Sequence, residues 1–175
     1  FNPDQSDTNG DGYGDACVDP SVLVSEDMDL DRTVRVGAFA ELKKDVRVGA
    51  YSIVGSEVDL NRGVSVGNDV AIGDGAVLKK DIQVGNAASI GPGVRIGKGA
   101  FVGSGAVIGA NTVIGNETVI CAAAEIGANS RIGKKNLVST LAVVSPQSVH
   151  DGNRGPAPDP ADCGATMQSA VDTIS

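Results

Sequence analysis

From Val18 to Val144 every sixth residue is Val, Leu or Ile, without a break. The series opens Val18, Val24, Leu30, Val36 and closes Ile126, Ile132, Val138, Val144. Two positions before each aliphatic residue stands a small or β-branched one, as at Ala40, Val46, Ser52, Val58, Val64 and Val70. The two positions share parity, so both side chains fall on one side of a short strand. Gly follows the aliphatic residue at 37, 49, 55, 67, 73, 85, 91, 97, 103, 109, 115, 127 and 133. With the pair after it, that Gly reads as a corner whose backbone angles are closed to other residues. A unit this short buries its aliphatic residue only against its neighbours, which predicts a solenoid. An unbroken count also leaves no room for an inserted loop, where such scaffolds carry functional residues.

Composition fits a narrow coil. The 175 residues suit one domain with short appendages. Aromatic residues are 3%, Trp is absent and there are 24 Gly, and a core of Val, Ile and Ala has little use for large rings. No stretch approaches the roughly 18 apolar residues of a membrane span, so no membrane insertion is expected. The chain starts without Met or a signal-peptide pattern, so Phe1 reads as a processed or excised end. The net charge of −8 is unevenly placed: before Arg32 there are nine acids and no base, leaving the rest of the chain at +1. No basic stripe or interleaved aromatics are legible along the sequence, so nucleic acid is not an expected partner.

The acidic end has its own pattern. Oxygen ligands recur at every second position: Asp7, Asn9, Asp11, the carbonyl of Tyr13, then Asp15. Gly10, Gly12 and Gly14 permit the tight path between them. Hard, oxygen-only ligands suit Ca²⁺. Asn2-Pro3-Asp4-Gln5, followed by Asp7, Asn9, Asp11-Gly12, Gly14-Asp15 and Cys17, resembles the second half of a thrombospondin type 3 repeat. The first half, with its Cys, is absent, and Asn9 replaces an acid. The resemblance implies bound Ca²⁺, an extracellular or cell-surface location, and oxidising conditions. Under those conditions it implies a Cys17–Cys163 disulfide, within one chain or between copies. Cys121 stands in a corner slot where Gly is usual and reads as an unpaired, packed thiol.

The hexads themselves, such as Val36-Gly37-Ala38-Phe39-Ala40-Glu41 and Ile96-Gly97-Lys98-Gly99-Ala100-Phe101, resemble the hexapeptide-repeat left-handed β-helix family. In that family three hexads make one triangular coil. The resemblance implies an all-β, left-handed parallel β-helix of about seven coils over 18–149. An irregular calcium-binding segment at 1–17 would precede it, and an extended tail or arm at 150–175 would follow. Family members include trimeric acyltransferases, which use a His general base between subunits, and gamma-type carbonic anhydrases, which hold zinc on three His. This chain has one His, His150, just past the last hexad, so the fold is expected to carry over and the activities are not.

The residue before each aliphatic one faces outward, and Phe101, Val119 and Leu137 form an apolar strip there. Such a strip marks a contact, with a partner subunit or with the chain's own tail. Exposed strand edges at the solenoid ends invite pairing between copies. The expected function is therefore non-enzymatic: an extracellular, calcium-stabilised structural protein that self-associates head to tail into a filament or matrix. The alternatives are a secreted trimeric hexapeptide-repeat enzyme with His150 in a subunit cleft, and a polysaccharide-binding or adhesion module.

Overall fold

The computed structural model describes residues 17–18, 21–25 and 27–163. The expected calcium ligands Asp7, Asn9, Asp11, Tyr13 and Asp15 lie outside the described residues, as do 164–175. Among those described, the chain forms 23 two-residue strands, from β1 (Cys17–Val18) to β23 (Val149–His150). They make three parallel sheets of 8, 8 and 7 strands. The first sheet holds Cys17–Val18 through Val143–Val144, the second Leu23–Val24 through Val149–His150, and the third Asp29–Leu30 through Leu137–Val138. Each strand pairs with the one three strands on, as Ala71 with Ser89 and Ile72 with Ile90. The chain is an all-β, left-handed parallel β-helix of about seven coils.

The core is the aliphatic column with its small partner. Along the second sheet Leu42, Leu60, Leu78, Ile96, Ile114 and Ile132 are buried, with Ala40, Val58, Ala76, Val94, Thr112 and Ser130 beside them. Four of the buried inward residues are polar, and each is satisfied in the same way. Ser52, Thr112, Thr118 and Ser130 donate their hydroxyls to the carbonyls of Gly67, Gly127, Gly133 and Ser145, at 2.9, 3.1, 2.8 and 3.1 Å. A buried hydroxyl with a partner avoids the desolvation penalty that would otherwise oppose folding. No buried side-chain polar atom is left without a partner among the described residues.

The corners differ from the sequence expectation. The left-handed backbone belongs to the third residue after each aliphatic one, and fifteen non-glycine residues occupy it, including Asp45, Tyr51, Ala87 and Leu141. The Gly that directly follows the aliphatic residue is required for a different reason. A Cβ on Gly97 would stand 2.5 Å from Asn116 N and 2.6 Å from the Gly115 carbonyl carbon, atoms of the next coil. Stacking clearance, not backbone angle, selects Gly there. The residue after it closes the corner: Asn68 and Asn116 accept from the backbone N–H groups of Ala50 and Lys98, one coil earlier, at 2.9 and 3.0 Å.

Candidate functional site

Chemistry-bearing residues come together on the third sheet under the C-terminal tail and in the last coil with His150. On the third sheet the outward residues Asp29, Arg47, Ser65 and Gln83 are exposed, whereas Phe101 and Leu137 are half-buried and Val119 is only 3% exposed. The tail makes the difference. Asn153 N donates to Lys134 O at 2.8 Å, and the amide of Asn136 donates to Asp151 O at 2.8 Å, so the chain leaves the last coil pinned to the one below. Lys135 Nζ then donates to Gly155 O at 3.4 Å. Ala157, Pro158 and Pro160 face Phe101 and Val119 across a cleft of about 210 Å³, rimmed by Asp81, Gln83 and Glu117. Of the apolar strip, Phe101 and Val119 thus face the chain's own tail, and Leu137 is half-buried.

A disulfide anchors the tail. Cys163 is bonded to Cys121, 42 residues earlier, with their Cα atoms 5.5 Å apart. This corrects the expected Cys17–Cys163 bridge and the reading of Cys121 as a free thiol. The tail passes Phe101 and Val119 at Ala157, Pro158 and Pro160, and Cys163 then meets the corner that follows Val119–Ile120. Cys17 lies in the first coil, near the opposite end of the stack. Separating Cys121 from Cys163 should loosen the tail and lower stability by up to about 4 kcal/mol, the chain-entropy limit for a loop of this length. Urea unfolding of the Cys163→Ser variant reads that loss, and dye binding to the bared strip reads the release. Identical unfolding and dye signals with and without the bond would refute it.

His150 continues the hexad count rather than falling beyond it. It pairs in register with Ile132, which places it at a core-facing position of the last described strand, exposed because no described coil lies above it. Its carbonyl accepts from Gly133 N at 2.7 Å. A polar ring ends the aliphatic column there, and residues 151–153 fold over the adjoining corner. Extending the sequence count by one step would have found this position. Among the described residues no group of three His, Cys, Asp or Glu could hold a metal ion. No described helix is long and apolar enough to cross a membrane.

Residues 63–98 match the family profile described as bacterial transferase hexapeptide (six repeats). The match lies inside the solenoid and leaves the thrombospondin-like likeness of residues 1–17 without support. A comparison with curated protein sequences finds no match. Among solved structures, the chain is similar to a UDP-N-acetylglucosamine O-acyltransferase of Moraxella catarrhalis, at 16% identity and a TM-score of 0.48, over 77% of this chain and 62% of that one. The acyltransferase LpxA of Acinetobacter baumannii is similar at 12% identity and 0.45, over 87% of this chain and 77% of that one. The UDP-N-acetylglucosamine acyltransferase of Francisella novicida is similar at 18% identity and 0.48, over 73% and 62%. The chain thus spans less than two thirds of the Moraxella and Francisella structures.

The profile match corrects two expectations. A transferase-family pattern in the repeat stands against a calcium-stabilised head-to-tail filament and against a non-enzymatic protein. The upper end of the stack agrees physically. A terminal coil with a polar ring at its core position and residues 151–153 over one corner is a poor template for another chain's strands.

Proposed function

We propose that the chain is the solenoid subunit of a homo-oligomeric acyltransferase of the hexapeptide type, with His150 as its general base. The observation that carries this reading is the transferase-hexapeptide match at residues 63–98, within an unbroken three-faced prism. His150 is the only imidazole in the chain and is exposed at the end of the second sheet. In acyl transfer a neutral imidazole accepts the proton of an acceptor hydroxyl or amine as that atom attacks a thioester carbonyl. The C–S bond then breaks and the leaving thiolate takes the proton back from the imidazolium. The acyl group ends on the acceptor, and no other reactant is needed.

Assembly is supported by apolar residues the tail does not cover. Ile53, Val107 and Val143 on the first sheet, and Val113 and Val149 on the second, are exposed, and a closed symmetric oligomer would bury them. The Cys121–Cys163 bond supports an oxidising compartment outside the cytosol. The test is thiol release from acetyl coenzyme A with UDP- and GDP-linked amino sugars as acceptors, beside native mass spectrometry. A turning-over oligomer is expected, with His150→Ala losing about 10²–10⁴ in rate and keeping its assembly. A monomer that releases no thiol, or an equally active His150→Ala variant, would overturn the proposal.

A further inference from the structure

Independently of that reading, the corner following the second sheet carries a charge pattern that the linear sequence hides. From Leu42 to Ile132 the second residue after each aliphatic one there is Lys44, Arg62, Lys80, Lys98, Asn116 and Lys134, so five of these six rungs are basic, above Glu26 in the sequence. The backbone stacks them one per coil. Gly63, Asp81, Gly99, Glu117, Lys135 and Asn153 donate in turn to the carbonyls of these six residues, at 2.8–3.2 Å. Coils stack at about 4.8 Å, so the rungs form a straight row of cations on a rigid edge. Arg95 and Arg131, each three residues before a rung lysine, stand exposed on the adjoining sheet, and Lys79 is exposed beside Lys80.

The two ends of the row differ. Lys44 lies 2.8 Å from Asp27 and Arg62 lies 3.0 Å from Asp45, so the lower rungs are neutralised within the chain. The hydrogen bond and charge of Lys44 hold Asp27 below its ordinary carboxylate range, and Asp27 raises Lys44 in return. Among the described residues, Lys79, Lys80, Arg95, Lys98, Arg131 and Lys134 have no ion pair. The acids nearest along the chain are Asp81 and Glu117, in the next column, Glu125 on the first sheet, and Asp151 above. Lys135 already neutralises Glu117, at 3.8 Å.

We infer that the upper half of this edge, from Lys80 to Lys134 with Arg95 and Arg131, is a binding site for a linear acidic polysaccharide laid along the axis of the solenoid. A row one residue wide, with a rung at each coil that is cationic at Lys80, Lys98 and Lys134 and neutral at Asn116, fits an extended polymer carrying carboxylates or sulfates rather than a compact anion. The nine acids before Arg32 would repel such a polymer from the lower end of the solenoid, which favours its upper half. Nucleic acid is disfavoured because the row has no stacking platform. Phe39 and Tyr51 belong to corners after the first and third sheets, and Phe101 lies under the tail. The disulfide also points to a compartment where acidic polysaccharides are the common polyanions.

The test is binding of the full chain to polygalacturonate at low salt, with single-stranded DNA and phosphatidylserine vesicles as competing probes. Binding that falls steeply with salt is expected. The Lys80→Glu/Lys98→Glu/Lys134→Glu variant should weaken it by roughly tenfold or more. Replacing the same three residues by Arg should preserve it, and neutralising the paired rungs by Lys44→Gln/Arg62→Gln should change it little. Circular dichroism of each variant confirms that the solenoid is intact. No binding by the wild-type chain, an equal loss in the lower-rung variant, or tighter binding to DNA or vesicles than to the polysaccharide would overturn the inference.

Discussion

Truncating Leu78 to Ala is expected to destabilise the protein by about 2–5 kcal/mol, whereas Leu23→Ala should cost less than about 0.5 kcal/mol. Both are Leu in two-residue strands of the second sheet, and their hexad positions differ by one. Leu78 is 0% exposed at the centre of the stack, with Leu60 and Ile96 in register below and above it. Leu23 points outward and is 68% exposed. The central position matters because each coil is held only by its two neighbours, so a void there weakens both interfaces at once. Urea unfolding of the two variants reads the difference. Equal losses would mean that the inward column does not carry the core.

The second large effect concerns the glycines, where two chemically identical changes should differ for physical reasons. Gly97→Ala is expected to cost about 3 kcal/mol or more, because its Cβ would meet Asn116 N at 2.5 Å and the Gly115 carbonyl carbon at 2.6 Å. Those are backbone atoms, and shifting them would lengthen the ladder bonds between coils. Gly105→Ala places its Cβ in open space, with nothing within 4 Å, and retains only the penalty of a φ of +67°, about 1–2 kcal/mol. Fifteen non-glycine residues already tolerate that backbone in the equivalent position of other hexads. Thermal unfolding of the two variants decides the matter. A Gly105→Ala change as harmful as Gly97→Ala would restore the view that backbone angle selects the corner glycines.

Most of the fold was legible in the residues themselves. The period of six and the shared parity of two inward positions placed the strands, named the core and implied parallel stacking, because hexads that small have nowhere else to bury Val, Leu and Ile. The same count, extended one step, reaches His150. The reason for the corner glycines was not legible, since their constraint comes from a backbone atom one coil away and not from their own dihedral angles.

The candidate sites were less legible because each depends on residues far apart in sequence. Cys163 could reach several corners along the sequence, and the path of the tail past Phe101 and Val119 brings it to Cys121. The row Lys80, Lys98, Lys134 looks like scattered charge along the chain and becomes a stripe only when each coil of three hexads is stacked. Local periodicity therefore determined the solenoid, because burial in it is a nearest-neighbour matter. Tertiary structure alone decided which outer face is covered, which cysteines meet and which cations align, because those contacts are set by stacking and by the path of a tail outside the repeat.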